Sequence, residues 1–124
     1  MEPGEIINTL LQADAAVVAL LGERVYPLRA PQNTSYPYAT YQVVSGQGNS
    51  LAACELYDDA RVQVSLFAKT YAQIGQLHAA CRKALHGQDV GAVHIAFDAY
   101  QESFQDNALC FLRTQDYLLD GLAA

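Results

Sequence analysis

Residues 61–87 constrain the fold of this chain more strongly than any other segment, because a two-residue period gives way there to a helical one. Every second position is apolar at Val62, Val64, Leu66 and Ala68, which is the pattern of a strand with one buried face. Thr70 then has the position of a helix N-cap, with Gln73 three residues later as in a capping box. A stripe with helical spacing and a basic, glycine-terminated end follows, formed by Ile74, Leu77, His78, Cys81, Arg82, Lys83, Leu85 and Gly87. The segment therefore predicts a strand that leads directly into an amphipathic helix.

The N-terminal residues predict one broken helix or two abutting helices. Pro3 suits a first-turn position, and Glu5 lies near the positive end of the helix dipole. Apolar residues recur at helical spacing at Ile6, Ile7, Leu10 and Leu11. Asp14 has the character of an N-cap for a second apolar run over residues 15–21, which Gly22 terminates.

The middle of the chain predicts an extended connector, a strand and a loop. Three prolines within residues 24–37 cannot donate a full ladder of hydrogen bonds, so an extended connector is expected there. Strand character resumes over residues 38–45, and residues 46–50 are typical of a turn or loop. The chain then continues to an acidic group formed by Glu55, Asp58 and Asp59. We expect residues 46–57 to be the most mobile segment.

The C-terminal part predicts a β-hairpin and completes the fold class. Val93, Ile95 and Phe97 alternate with other residues, and the chain is expected to remain extended to Phe104. Residues 105–107 suit a hairpin turn, and residues 108–118 the returning strand. We therefore expect one α+β domain over residues 1–124, with a mainly antiparallel sheet and helices packed on one face. A chain of this length buries about two-thirds of its extended surface, which suffices for a core.

Charge is scarce in this sequence. Only 16% of the residues are charged, against about 25% in an average domain, which predicts that part of the surface meets another protein. Seven basic residues against thirteen acidic ones argue against a nucleic-acid binder that neutralises phosphates. No apolar run approaches the roughly 20 residues of a membrane span, and the acidic N-terminus is unlike a signal peptide. We therefore expect no membrane association and a cytoplasmic location.

No pattern in the sequence predicts catalysis, a metal or another cofactor. His78 and Cys81 lie three residues apart on the predicted helix and could both face a metal, but no CxxC or HxxxH pair exists. A zinc site would need further ligands from Cys54, Cys110, His86 or His94. The acidic group lacks the order of a calcium loop, and no GxSxG turn is present. The alternative that stays open is a small host α+β binding protein, or a metal-dependent enzyme that uses His78 and Cys81.

Tyrosines surround the proline-bearing connector, at Tyr26, Tyr36, Tyr38 and Tyr41. Tyrosine is favoured at interfaces because it buries a large area at a small cost in conformational entropy. The same side chain also packs in cores with its hydroxyl at the surface. An interface and a core are therefore both consistent with this group.

Several stretches resemble the small tail-completion proteins of long-tailed bacteriophages and prophages. In chain order they are residues 10–17 (LLQADAAV), 20–27 (LLGERVYP), 30–32 (APQ), 36–42 (YPYATYQ) and 61–71 (RVQVSLFAKTY). The resemblance as a whole extends in order over most of the chain, and its most specific parts are the GERVYP turn and the strand-to-helix junction. After Gly87 only the general strand pattern is similar.

The resemblance implies a structural role without catalysis. Proteins of this kind are similar to tail terminators and tail-to-head joining proteins, which close the tail tube as a ring, usually of six copies, and present the surface where the filled head docks. The expected partners are further copies of the chain, the tail-tube protein and the head–tail connector proteins. Assembly is expected in the host cytoplasm, followed by residence in the virion tail. The subunit is expected either as a ring or as a monomer in dilute solution.

Two sets of residues are candidates for these contacts. The interface hypothesis places Arg24, Tyr26, Arg29, Pro31, Tyr36 and Tyr38 against a neighbouring subunit. A ring needs two different patches on each subunit, because its contacts are heterologous. The second hypothesis has Glu55, Asp58 and Asp59 facing the channel, where an acidic lumen would repel phosphate and let DNA pass without specific binding.

Overall fold

Two helices open the chain and meet nearly at a right angle. The computed structural model describes residues 2–47 and 59–122, and α1 (Pro3–Ala13) and α2 (Ala15–Leu21) are bent by 89° at Asp14. The Asp14 carboxylate caps α2 by accepting hydrogen bonds from the N–H groups of Ala16 (3.0 Å) and Val17 (3.1 Å). Of the two possibilities that the sequence leaves open, one broken helix or two abutting helices, the structure shows two abutting helices. No single helix in the described residues could span a membrane; only the bent pair together reaches that length and composition.

Six strands of the described residues form one sheet. They are β1 (Val25–Pro27), β2 (Tyr38–Gln47), β3 (Asp59–Ala68), β4 (Asp89–Val90), β5 (Val93–Gln105) and β6 (Cys110–Asp120). Their order across the sheet is β1-β2-β3-β6-β5-β4. All neighbours are antiparallel except β1, which runs parallel to β2.

The third helix follows β3 after a bend at Lys69 and Thr70, as the sequence predicts. α3 (Tyr71–Leu85) begins after Thr70, whose hydroxyl oxygen accepts a hydrogen bond from the Gln73 N–H at 3.2 Å. The helix buries its apolar stripe, at Ile74, Leu77, Cys81, Ala84 and Leu85. After the helix, Gly87 adopts a positive φ of 78°, which only glycine takes without strain.

The helices cover one face of the sheet, and the core lies between them. The register sets Val62, Val64 and Leu66 of β3 on the same face as β6 residues that are also buried. Helix residues complete this core, among them Ile7, Leu11, Val17, Leu21, Ile74 and Leu77. The expected α+β class, with a mainly antiparallel sheet and helices packed on one face, is thus observed.

Three sequence-based boundaries need correction. Gly46 and Gln47 were expected in a loop but extend β2, because they continue the ladder opposite Ala60 and Asp59. β6 runs from Cys110 to Asp120, whereas residues 108–118 were expected. Its C-terminal end lies beyond residue 118 because its pairing with β3 continues to Asp59. The connector contains the short strand β1, and β4 was not predicted. The mobility expected for residues 46–57 falls largely on residues 48–57, outside the described part.

Candidate functional site

The face of the sheet opposite the helices, here called the open face, is polar and nearly free of charge at its centre. The register aligns Thr40, Ser65, Thr114 and Gln101 in one row across four strands. The next row contains Gln42, Gln63, Asp116 and Ala99. Antiparallel sheets tolerate such a face against water or another polar surface. The centre of the open face therefore offers mainly hydroxyl and amide groups, and Asp116 is the one carboxylate in these two rows.

Charges gather at one end of the open face, here called the acidic end. Asp59 lies opposite Asp120 in the register, and both are exposed. Arg61 is the basic residue beside them, and it is held by Asp98 at 2.8 Å and by Asp116 at 3.4 Å. These carboxylates raise the pKa of Arg61, and the largest cause is the hydrogen bond that Arg61 donates to Asp98. The Arg61 charge is thus balanced within the sheet.

The predicted acidic group is only partly described, since Glu55 and Asp58 lie outside the described residues. Sequence reasoning missed Asp116 and Asp120, which the β3–β6 pairing brings to the same end as Asp59. Their alternation with the buried residues Tyr117 and Leu119 was the available signal. The acidic end is therefore built from more strands than the sequence pattern suggested.

Aromatic side chains cover the other end of the open face. Tyr38 stacks on Phe67 with ring centroids 4.6 Å apart, and Tyr36 packs on Tyr38 at 5.2 Å. The Lys69 ammonium lies 4.6 Å from the centroid of the Tyr36 ring and donates to the Ala108 carbonyl at 3.1 Å. The pKa of Tyr36 is raised to about 12, chiefly by a hydrogen bond with Cys110 and to a smaller extent by burial. These contacts fix the connector to the end of the sheet.

The structure brings four of the six predicted interface residues together. Arg29, Pro31, Tyr36 and Tyr38 line one shallow groove along the connector. Tyr26 lies on β1, opposite Thr40.

Arg24 occupies a different place from the groove. Its Nε donates to the Pro37 carbonyl at 2.8 Å and its guanidinium also reaches the Leu20 carbonyl at 3.5 Å. Arg24 therefore ties the connector to α2, so its first role is structural.

His78 and Cys81, the residues of the alternative hypothesis, are both held in packing roles. Burial raises the pKa of the Cys81 thiol to about 12, and a neutral thiol is a poor nucleophile and metal ligand. Burial, with smaller effects from Arg113 and Arg82, lowers the pKa of His78. Residues 2–47 and 59–122 contain no group of three or more His, Cys, Asp or Glu side chains placed to hold a metal.

A buried polar chain that the sequence did not predict explains the state of His78. Gln115 is fully buried, and its Nε2 donates to His78 Nδ1 and to the His78 carbonyl, both at 3.1 Å. Its Oε1 accepts from the Tyr117 hydroxyl at 2.9 Å. Because the amide nitrogen only donates, His78 Nδ1 is the acceptor, in agreement with the lowered pKa.

The fold defines a class of protein: a small two-layer α+β domain in which the described helices lie on one face of a mainly antiparallel sheet and leave the other face uncovered by helices. The chain belongs to the tail completion protein gp17 family, whose model matches residues 6–109. It is accordingly a structural protein of phage tails. The match runs from α1 through β5, and so extends beyond the segments that carried the resemblance in the sequence.

One solved structure supports the fold. A chain in the structure described as the virion of a native gene transfer agent particle is similar with a TM-score of 0.69 and 19% identity. The similarity covers 92% of this chain and 90% of that chain. At this identity the similarity concerns the fold. No curated protein sequence matches the chain.

Proposed function

We propose that the chain closes the end of the phage tail tube as a ring of six copies and forms the surface on which the filled head docks. Family membership supports the tail role. The observation that carries the ring is the open face, a broad sheet surface on which residues 2–47 and 59–122 place no helix. A ring of such subunits, with helices outside, would enclose a channel lined by the open faces.

The charge of the open face suits DNA passage. At the centre and the acidic end of the open face the described basic side chains are paired with carboxylates, Arg61 with Asp98 and Asp116, and His94 with Asp89 at 2.7 Å. DNA carries one charge per about 1.7 Å of its axis, and the amides, hydroxyls and carboxylates of these two regions offer it no unpaired cation; Lys69 and Arg29 lie at the aromatic end. The net charge of −6 in each copy adds repulsion. Asp59, with Glu55 and Asp58, would face this channel at the acidic end.

The subunit contacts would include the connector. A standard interface takes about 800 Å² from each partner, so two contacts would cover roughly a fifth of the 7088 Å² surface of the chain. Tyr26, Arg29, Pro31, Tyr36 and Tyr38 would lie against the neighbouring copy, and Arg24 would hold the connector in place. The tail-tube protein and the head–tail connector proteins would meet the two ends of the ring.

The proposed role requires no catalysis and no cofactor. The chain would be made in the host cytoplasm and would end in the virion tail. The rival assignment, a metal-dependent enzyme based on His78 and Cys81, makes a different prediction for purified protein. Zinc at one equivalent per chain, lost on His78→Ala substitution, would favour the enzyme over the ring.

The ring is tested by adding the chain to tail tubes assembled from the tube protein of the same phage. Negative-stain images should show a ring at one end of each tube, and capped tubes should stop growing. Tubes that keep growing, with no added density at their ends, would contradict the proposal.

The channel lining is tested with a new positive charge. Thr114→Lys, at the centre of the open face, should make the ring retain DNA at low salt and reduce infectivity. Ala79→Lys, on the exposed side of α3, is the matched control and should do neither. Neutralising Glu55, Asp58 and Asp59 together should impair DNA passage or head joining. Equal behaviour of the two lysine variants would place the open face outside the channel.

A further inference from the structure

The outer edge of β5 is unpaired over half of its length. β4 pairs only with Val93 and His94. The next main-chain groups on this outer side are also hydrogen-bonded. The Ile95 carbonyl accepts from the Gly87 N–H (2.8 Å), the Ile95 N–H donates to the Gln88 carbonyl (3.0 Å), and the Phe97 N–H donates to His86 Nδ1 at 2.9 Å. Among residues 2–47 and 59–122, no strand or turn pairs with residues 99–105 on the side away from β6.

The free stretch of β5 lacks the features that usually block edge pairing. In an antiparallel ladder alternate residues direct their main-chain N–H and C=O groups away from the partner strand. Beyond the bulge at Asp98, these residues are Tyr100, Glu102 and Phe104. Edges are commonly protected by lysine, proline or unpaired charge. Residues 99–105 contain neither lysine nor proline, and the Glu102 carboxylate is engaged by Arg113 at 2.6 Å.

The opposite edge of the sheet has a free stretch as well. β1 pairs only with residues 39–41 of β2, so in the described structure the outer side of residues 42–47 has no partner strand. This stretch carries no charged residue. Val43 and Val44 are 39% and 48% exposed, and on the β5 edge Tyr100 and Phe104 are 51% and 46% exposed. Each copy thus has two different free edges with exposed apolar side chains.

We propose that residues 99–105 of one copy pair with residues 42–47 of the next, so that one sheet continues around the ring. The strands β2, β3, β6 and β5 alternate in direction. A second copy in the same orientation therefore sets its β2 antiparallel to β5 of the first, as in the rest of the sheet. The contact is heterologous, as ring closure requires. This inference rests on the proposed ring and specifies its subunit contact.

The short strands β1 and β4 leave room for this pairing. Within one copy, Glu102 pairs with Arg113, Arg113 with Leu66, and Leu66 with Ala39, so Glu102 and Ala39 lie at the same height along the strands. Glu102 is the middle of residues 99–105, and Ala39 lies about five residues from the middle of residues 42–47. The neighbouring copy is then displaced along the strands by roughly 17 Å, at about 3.4 Å per residue. This displacement moves β1 of one copy and β4 of the other beyond opposite ends of the paired stretch.

The same displacement gives the ring a defined geometry. Four strands at about 4.8 Å spacing are about 19 Å wide, so a 17 Å offset per copy corresponds to a strand tilt of about 40°, within the usual range for closed barrels. Twenty-four strands at this tilt give a wall roughly 48 Å across between backbones. That width leaves space for a DNA duplex inside the open faces.

Proline substitution tests the pairing at both edges. Phe104→Pro removes an outward N–H that has no partner among the described residues, so the subunit should still fold, but the neighbour loses a hydrogen bond. Phe104→Ala removes the same ring and keeps the N–H. The concentration needed for half-maximal ring formation on tubes should rise about tenfold or more for Phe104→Pro relative to Phe104→Ala. Val43→Pro and Val43→Ala repeat the comparison at the other edge if Phe104→Pro does not fold.

Hydrogen exchange provides an independent measurement on the unmodified chain. Amides within residues 99–105 and 42–47 should exchange at least about tenfold more slowly in the ring than in the monomer. If wild-type rings form and cap tubes, but proline and alanine variants assemble equally and protection appears elsewhere, the edge pairing is wrong and the ring stands. If the wild type never caps tubes, the proposed function itself fails.

Discussion

The hydroxyl of Tyr117 is the most informative single group to remove from this protein. Tyr117 and Gln115 are both fully buried, and the hydroxyl donates to Gln115 Oε1 at 2.9 Å. The amide nitrogen of Gln115 donates one hydrogen bond to His78 Nδ1 and one to the His78 carbonyl in α3. Tyr117→Phe therefore leaves a buried acceptor without its donor, while the ring and its packing against Phe97 at 5.5 Å remain.

The expected loss of stability follows from the burial of the Gln115 amide. An unpaired buried polar group costs about 1–3 kcal/mol, so Tyr117→Phe should lower the free energy of unfolding by about 2 kcal/mol. With a urea m-value of about 2 kcal/mol/M, the unfolding midpoint should fall by about 1 M. Tyr100→Phe is the control, because Tyr100 is half exposed, and such surface changes stay within about 0.5 kcal/mol.

A double-mutant cycle shows whether the bond itself is responsible. Gln115→Leu removes the amide and leaves the Tyr117 hydroxyl without an acceptor, so each single variant orphans the partner of the other. The double variant Gln115→Leu, Tyr117→Phe should then be less destabilised than the sum of the two, by about 1 kcal/mol or more. Reversible urea unfolding followed by circular dichroism measures all four proteins. Strict additivity, or a Tyr117→Phe midpoint equal to that of Tyr100→Phe, would refute the reasoning.

Three further predictions concern the helix cap, a tight backbone contact and a titrating pair. Asp14→Ala should lower stability by about 1 kcal/mol through loss of the α2 cap, whereas Asp14→Ser should retain most of it; equal urea midpoints for the two variants would argue against the cap. Gly121→Ala should destabilise the chain markedly, because Gly121 has a φ of 81° and an added Cβ would overlap the Ala92 carbonyl oxygen; an unchanged thermal midpoint would be the contrary result. The hydrogen bond with Asp89 raises the pKa of His94 above its ordinary 6.5, so the stabilisation by this pair should be complete below pH 6.5 and lost as the pH rises through the raised pKa. Relative to His94→Gln, the wild type should therefore gain more stability at pH 6 than at pH 9, and an equal difference at both pH values would count against the pair.

Local elements were largely predictable from the sequence because their signals are local. The two-residue period of β3, the Thr70 cap and the α3 stripe each involve residues close in the chain, and all three are observed. The Asp14 cap and the break between α1 and α2 followed in the same way. The errors concerned strand ends and the short strands β1 and β4, where pairing with distant residues outweighs local preference.

The candidate site was less predictable, because the pairing register of distant strands brings its residues together. Asp59 belongs to a recognisable acidic group, but its neighbour Asp120 is identified only by the β3–β6 pairing. Gln115 would be expected at the surface from its polarity. It is buried because the ladder places it beside Val64 on the helix-covered face, where His78 and Tyr117 satisfy its amide.

The sequence by itself determined the fold class, the strand-to-helix junction, the helix caps and the scarcity of charge, since these depend on composition and on spacings of a few residues. Its resemblance to tail-completion proteins also pointed to the family that residues 6–109 match. Only the tertiary structure decided which residues form the open face, which carboxylates share its acidic end, and which parts of β2 and β5 have no second partner strand among the described residues. Those properties depend on the order and register of strands far apart in the chain, and main-chain hydrogen bonds between such strands leave no periodic trace in either one alone.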